Sequence, residues 1–282
     1  LFIIFAIQTN HNKMKTKLFF IAFAIVILTS CSSDDSSGGA ASATNYLPLT
    51  DGNYWTYVTN VVGQPTSNRD SLYVANDTVI NTKTYKKIKT LAIPFGFYSN
   101  SLRDNGLRKE SDAIYMTGNA GLNLGNVLPI NLNVTDLIIF KESATVNQVL
   151  GSVSGVINQD LQGYPLVMNY TLKTTALETL PTYTAEDNTV YTDVKKVKTT
   201  LTLSVTTTVT IPGIPIPLTV PLLNSQDVVV SNQYYAKNIG MVSANTIISY
   251  ELQDFSQFGI TLPIPQSGSQ TQTELLDTYL VN

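Results

Sequence analysis

The stretch KVKTTLTLSVTTTVTI, Lys196–Ile211, decides how this chain folds. Its apolar residues Val197, Leu201, Leu203, Val205, Val209 and Ile211 alternate with Lys196, Lys198, Thr200, Thr202, Ser204, Thr206, Thr208 and Thr210. Successive side chains of a strand point to opposite faces, so alternation this long specifies a strand with one apolar face and one threonine-rich face. At roughly 3.3 Å per residue it reaches about 50 Å, far beyond an ordinary strand, so it must curl with its sheet or project past it. No charge follows Lys198. Because so β-prone a strand invites aggregation at a sheet edge, it is expected inside the sheet, paired on both sides.

The folded part, about residues 45–282, reads the same way. Strands are expected at 54–62, 71–75, 85–91, 113–117, 137–141, 148–157, 167–175, 227–235 and 245–252. Turns punctuate them at Asp51-Gly52, Asp104 to Gly106 and Asn81 to Lys83. Helix signals are weak; 142–150 and 274–280 could each supply a short helix. The expected fold class is therefore mainly β, a curved antiparallel sheet or half-barrel in a single domain over 45–282. The segment DTVINTKTYKKIKT, Asp77–Thr90, resembles NTVYTDVKKVKT, Asn188–Thr199, if the second hairpin turn is shorter. NGLRK from Asn105 and IGMVS from Ile239 also share a Gly before a large apolar residue. Two duplicated halves account for this, and so does convergent hairpin chemistry.

The N-terminus speaks of a compartment. Met14 opens MKTKLFFIAFAIVILTSC, with Lys15 and Lys17 ahead of the apolar run Leu18–Leu28. That run has signal-peptide length and is too short to span a bilayer as a helix, which takes about 20 apolar residues. It ends in Leu28-Thr29-Ser30-Cys31, which resembles a bacterial lipobox. The resemblance implies a lipoprotein signal peptide at 14–30, cleavage before Cys31, and acylation of the Cys31 thiol and its new amine. Cys31 is the sole cysteine, so no other thiol chemistry competes for it. Several acyl chains together anchor durably. Residues 1–13 precede a well-formed start and read as a mis-assigned start site. The tract SSDDSSGGAASA after Cys31 has no apolar periodicity, so 31–44 is expected to be a lipidated cysteine with a flexible tether. Asp34 and Asp35 within it either belong to a solvated linker or resemble the export signal of cell-surface lipoproteins of the Bacteroidota.

Composition excludes several chemistries. Losing residues 1–30 removes three lysines and no acid, which moves the formal charge from −3 to −6 and makes nucleic acid an unexpected partner. The same cut removes His11, the only histidine. Ser-His-Asp and Cys-His nucleophile systems then lack their base, and a zinc site lacks its usual donors. Oxygen ligands for a hard cation such as calcium remain, but no EF-hand pattern, Walker loop or dinucleotide fingerprint is found, so neither a metal nor a cofactor is expected. A carboxylate glycosidase is the one common enzyme class left. Its candidate acids Asp104, Asp160, Glu186 and Asp187 sit among turn residues, where Asp serves backbone hydrogen bonding, so the chain is expected not to be an enzyme.

Three segments stand apart: LNLGNVLPINLNV at Leu122–Val134, IPGIPIPLTVPLL at Ile211–Leu223, and FGITLPIP at Phe258–Pro265. All are free of charge and rich in Leu, Ile and Pro. Pro212, Pro215, Pro217 and Pro221 lack ladder donors, so Ile211–Leu223 is expected as an excursion and not as a central strand. Apolar loops need cover or a partner. Converging at one end of a curved sheet, they could line an apolar ligand site through Leu124, Leu128, Ile130, Ile214, Ile216, Leu218, Val220, Ile260, Leu262 and Ile264. The simpler arrangement, in which they pack on one another and cap an open barrel end, is preferred.

The opening of the domain, YLPLTDGNYWTY at Tyr46–Tyr57, resembles the start of uncharacterised outer-membrane lipoproteins of the Bacteroidota. Asp77–Thr90 and YYAKNIGMVSA, Tyr234–Ala244, resemble later elements of those proteins and of a related domain in a pilus-assembly-associated family. The resemblance leaves residues 120–180 unmatched. It implies a curved antiparallel sheet of the half-barrel kind with which lipoprotein carriers hold acyl chains, and carries over no catalytic residue. Trp55 falls on an apolar position of the motif and is expected in the core before any sugar-stacking role. The expected function is that of a lipid-anchored, non-enzymatic binding protein of the outer membrane, exposed at the cell surface or facing the periplasm. Its ligand would be a lipid or other apolar molecule. A structural or assembly component with its apolar loops on a protein partner is the alternative, and the glycosidase stands third.

Overall fold

Of the stretch Lys196–Ile211, Lys196–Val209 belongs to a strand that runs Val190–Val209, and residues 210 and 211 lie outside the described residues. The structure, a computed structural model, describes residues 45–124, 128–209, 216–254 and 264–282, with backbone only at 122–124 and 128–129. All of these belong to one unit, Thr44–Asn282. In chain order its strands begin with β1 (Tyr54–Val61), β2 (Asn68–Ile80) and β3 (Lys83–Lys89). A short helix α1 (Phe97–Leu102) precedes β4 (Gly106–Glu110) and β5 (Ala113–Asn119). A small hairpin, β6 (Leu122–Leu124) and β7 (Leu128–Ile130), leads to β8 (Asn133–Lys141). The long strands follow: β9 (Val149–Leu161), β10 (Tyr164–Thr184), β11 (Val190–Val209) and β12 (Leu218–Ala236). The last two are β13 (Gly240–Glu251) and β14 (Ser267–Leu280).

Twelve of these strands form one antiparallel sheet in the order β8-β5-β4-β3-β2-β1-β14-β13-β12-β11-β10-β9, nearly closed into a barrel with one unsealed seam. The expected mainly β, curved antiparallel class is what the chain adopts. As the threonine-rich stretch demanded, β11 is paired on both sides, to β10 from Thr184↔Val190 to Leu166↔Thr207 and to β12 from Val194↔Ala236 to Val209↔Leu218. β13 is laddered to β12 only up to Val229↔Ile248, but beyond that point Gln226 bonds the Glu251 amide and carbonyl at 3.0 and 2.9 Å and the Gln253 amide donates to the Leu222 carbonyl at 2.9 Å.

Three expectations need correction. Residues 274–280 are strand: Asp277 is skipped between Thr56↔Thr278 and Tyr57↔Leu276, and this bulge breaks the period-two alternation of the pleat. Residues 142–150 form turns and the start of β9. Ile211–Leu223 is not wholly an excursion, since Leu218–Leu223 belongs to β12 and Pro221 sits opposite Thr206. Proline is tolerated there because this part of β12 is laddered to β11 alone and the register slips between Val205 and Thr206. Residues 210–215 lie outside the described residues. The two segments read as related hairpins also differ. Asp77–Thr90 turns round at Asn81 and Thr82, both with positive φ, whereas Asn188–Thr199 runs on along β11 with a left-handed residue at Asp193.

The interior is filled with aromatic side chains. Tyr57, Tyr98 and Tyr235 meet edge to face with centroids 6.0 and 6.2 Å apart, and Phe140 lies 4.9 Å from Tyr235. Each buried ring stabilises the fold by roughly 2 kcal/mol through area removed from water. Two of the three tyrosine hydroxyls find partners: Tyr57 donates to the Met241 carbonyl at 3.2 Å and Tyr235 to Gln233 Oε1 at 2.9 Å. Trp55 is a core residue, as expected, and its indole donates to the Ile239 carbonyl at 2.6 Å. Gly240, at φ +124°, lies so close beneath this indole that a Cβ would come 2.7 Å from Nε1. The opening motif fastens chain start to chain end, because Asn53 accepts from the Asn282 amide at 2.9 Å and donates to the Pro48 carbonyl at 3.1 Å.

Candidate functional site

Since neighbouring strands alternate in direction, the β1–β2, β9–β10, β11–β12 and β13–β14 connections and the β6–β7 hairpin all leave the sheet at one end. The strand ends that carry the three charge-free segments are therefore gathered there. At this end a cleft of about 1010 Å³ opens between two walls. One wall is the segment Ile93–Phe97 with Asn100 and Arg103 of the α1 region; the other is the Ser267–Gln272 end of β14 with Ile248 and Tyr250 of β13.

Carboxylates beneath the first wall explain its path. Asp70 of β2 accepts from the backbone amides of Phe95 at 2.9 Å and Gly96 at 2.7 Å, and from the Thr59 hydroxyl at 2.8 Å. Glu274 of β14 accepts from the amides of Tyr98 at 2.7 Å and Ser99 at 3.0 Å and from the Ser99 hydroxyl at 2.6 Å. Between them Gln272, its amide turned to suit, donates to the Phe95 carbonyl at 3.2 Å and accepts from the Phe97 amide at 3.1 Å. Gly96 must be glycine, because a Cβ there would sit 2.1 Å from the Glu274 carboxyl carbon. Glu274 is only 1% exposed, and burial pushes its carboxyl up to about 7 although the donors from Tyr98 and Ser99 pull it down. The α1 helix was not foreseen from sequence: six residues are too few for a helical period, and its position is set by an acid on the last strand.

The expected site residues divide. Ile130 is buried in the cleft wall. Ile264 is half-buried in a separate small cluster with Leu166, Leu203, Val205, Leu222 and Leu252. Leu218 and Val220 are half-buried on the first residues of β12, and Ile216 is 65% exposed. The backbones of Leu124 and Leu128 face each other across the β6–β7 hairpin. Ile214, Ile260, Leu262 and Cys31 lie outside the described residues, and so do the segments expected to be signal peptide and tether. Sequence reasoning missed Ile93, Phe95, Arg103 and Tyr250. A signal existed for the first two: LAIPFGFY, Leu91–Tyr98, has the same charge-free, proline-bearing character as the three segments that were singled out. Ile93 is 70% and Phe95 62% exposed.

No carboxylate lines the cleft among the described residues. The acids suspected of turn chemistry behave so: Asp160 accepts from the Gly163 amide at 2.8 Å and Asp187 from the Thr189 amide at 3.0 Å. Asp104 holds a left-handed turn position at φ 60°. Asp70 and Glu274 have their oxygens committed to backbone amides on the far side of the wall. Among the described residues no helix is long and apolar enough to cross a membrane. Compared with known proteins, the chain matches no family model, and no curated protein or solved structure is significantly similar to it.

Proposed function

We propose that this protein is a lipid-anchored binding protein of the bacterial cell envelope, tethered through Cys31 to the outer membrane, that holds an apolar or amphipathic ligand without acting on it. The reading rests on one observation: the cleft of about 1010 Å³ opens at the end of the sheet from which the charge-free segments leave. Its size is that of a small-molecule site, about 300–1,000 Å³ in most proteins. Its exposed Ile93 and Phe95 offer apolar contact that water does not reward. The leader, lipobox and acidic tether argue for the compartment, and cell-surface exposure is the proposed side, with the periplasmic face as the alternative.

The test uses the full chain carrying Cys31→Ser, so that no acyl chain of its own competes, titrated with a fluorescent fatty acid. The parent is expected to bind and Phe95→Asp to weaken binding at least about tenfold, the effect of burying a charge against the ligand. Absence of probe binding by the parent overturns the reading. One observation favours the assembly-component alternative: Val62, Leu91 and Ile216 are also well exposed. In that case the probe is not held, and a photocrosslinker at position 216 captures one protein in intact cells while one at position 149 does not.

A further inference from the structure

Resting on the binding role argued above, we propose that the ligand of the cleft is an amphiphile with an anionic oxygen headgroup, held at Arg103, and a hydrocarbon body laid along Ile93, Phe95 and Ile248. Of the side chains that line the cleft among the described residues, Arg103 alone carries a charge. The chain has three arginines, and two of them are spent. Arg69 pairs with Asp277 at 2.6 Å, while Arg108 pairs with Asp136 at 3.1 Å and lies 4.5 Å over the Tyr115 ring. Arg103 has neither an ion pair nor a side-chain hydrogen bond among the described residues, and it is half-buried. The acid next to it in sequence, Asp104, is turned to Lys89 at 3.1 Å.

A guanidinium is planar, always charged and built to take two oxygens of one acid, so left unpaired in a charge-free cleft it selects a carboxylate or phosphate. Its own backbone is fixed. The Arg103 amide donates to the Ser99 carbonyl at 3.2 Å and the Asn100 carbonyl at 3.3 Å, and Asn105 two residues on locks the turn by donating to the Ser101 carbonyl at 2.7 Å. The acids Asp70 and Glu274 also face this region, from beneath Phe95–Ser99. Their charge disfavours an anion over that segment, which sets the orientation: headgroup toward the Arg103 side, hydrocarbon over Ile93 and Phe95. A bare anion gains nothing from those two exposed side chains.

The full chain carrying Cys31→Ser is titrated with palmitate, hexadecanol and acetate, each as a competitor of the fluorescent fatty acid. Palmitate is expected to displace the probe at a concentration at least about tenfold below hexadecanol, the worth of one charge-assisted hydrogen-bonded contact, and acetate not at all. Arg103→Gln removes the preference for palmitate, and Arg103→Lys keeps most of it. Since the Arg103 side chain makes no hydrogen bond or ion pair among the described residues, both variants are expected to melt with the parent. Equal displacement by palmitate and hexadecanol overturns the headgroup assignment and leaves the binding role standing. Displacement by acetate as strong as by palmitate overturns the amphiphile. Failure of the parent to bind the probe overturns both readings together.

Discussion

At Glu274 the chain places a carboxyl, 1% exposed, under the loop that forms one wall of the cleft. Three donors from Tyr98 and Ser99 favour its ionised form, yet burial dominates and holds it at about 7, against 4.5 for the free group. A pKa raised by folding contributes stability that is complete below the unfolded value and disappears as pH rises through the folded one. The shift corresponds to roughly 3 kcal/mol. Parent protein is therefore expected to lose roughly 6–12 °C of melting temperature between pH 4.5 and pH 8. Glu274→Gln should be nearly flat over that window, and equal slopes in the two proteins would refute the assignment. Since His11 is the only histidine and lies outside 45–282, no imidazole in the folded part blurs the reading. On the acid side Asp136 works the other way. Its hydrogen bonds from Lys83, Tyr85 and Arg108 outweigh desolvation and hold it down at about 2, so its stabilisation is complete above the ordinary carboxylate range and fades as pH falls toward 2.

Among the elements, β8 and β9 carry the burden of closure. They are the two edges of the sheet, and the seam between them is bridged by a side chain where a ladder is missing, Thr174 of β10 donating to the Ile138 carbonyl at 2.5 Å. Gly151 of β9 lets the strands approach, since a Cβ there would lie 2.9 Å from both the amide nitrogen and the carbonyl oxygen of Ile138. Gly151→Ala is expected to force the edges apart at a cost of about 1–3 kcal/mol, seen as faster amide exchange in 137–141 with β11 unaffected. Unchanged exchange in β8 would mean that the seam tolerates the methyl group. The elements also show where sequence was legible. The strand around Lys196–Ile211 was readable because buried and less buried residues alternate without a break from Leu201 to Val209, so period two survives there. The α1 helix was not, because its partners Asp70 and Glu274 lie far away in the chain. Half of the site was legible for the same reason: a charge-free segment announces itself, as Ile130 did, whereas Arg103 means something only beside the company it keeps in the cleft.

For the whole molecule, the proposed anchor can be tested apart from the fold. Cys31 stands ahead of the folded unit Thr44–Asn282, so loss of the thiol is expected to change where the protein resides and not how it melts. Cells fed radiolabelled palmitate should label the parent and not Cys31→Ser, and the variant should leave the membrane fraction. Label retained on Cys31→Ser would place the acylation elsewhere.

The pairing of β1 with β14 unites residues more than two hundred positions apart, as in the contact of Thr56 with Asp277. The first strand thus waits for the last, and a nascent chain ending short of Ser267 presents two raw hydrogen-bonding borders, on β1 and on β13, in addition to the seam it was built with. Premature stop codons late in the gene should therefore yield clumped, protease-cleared polypeptide instead of a shortened but serviceable barrel.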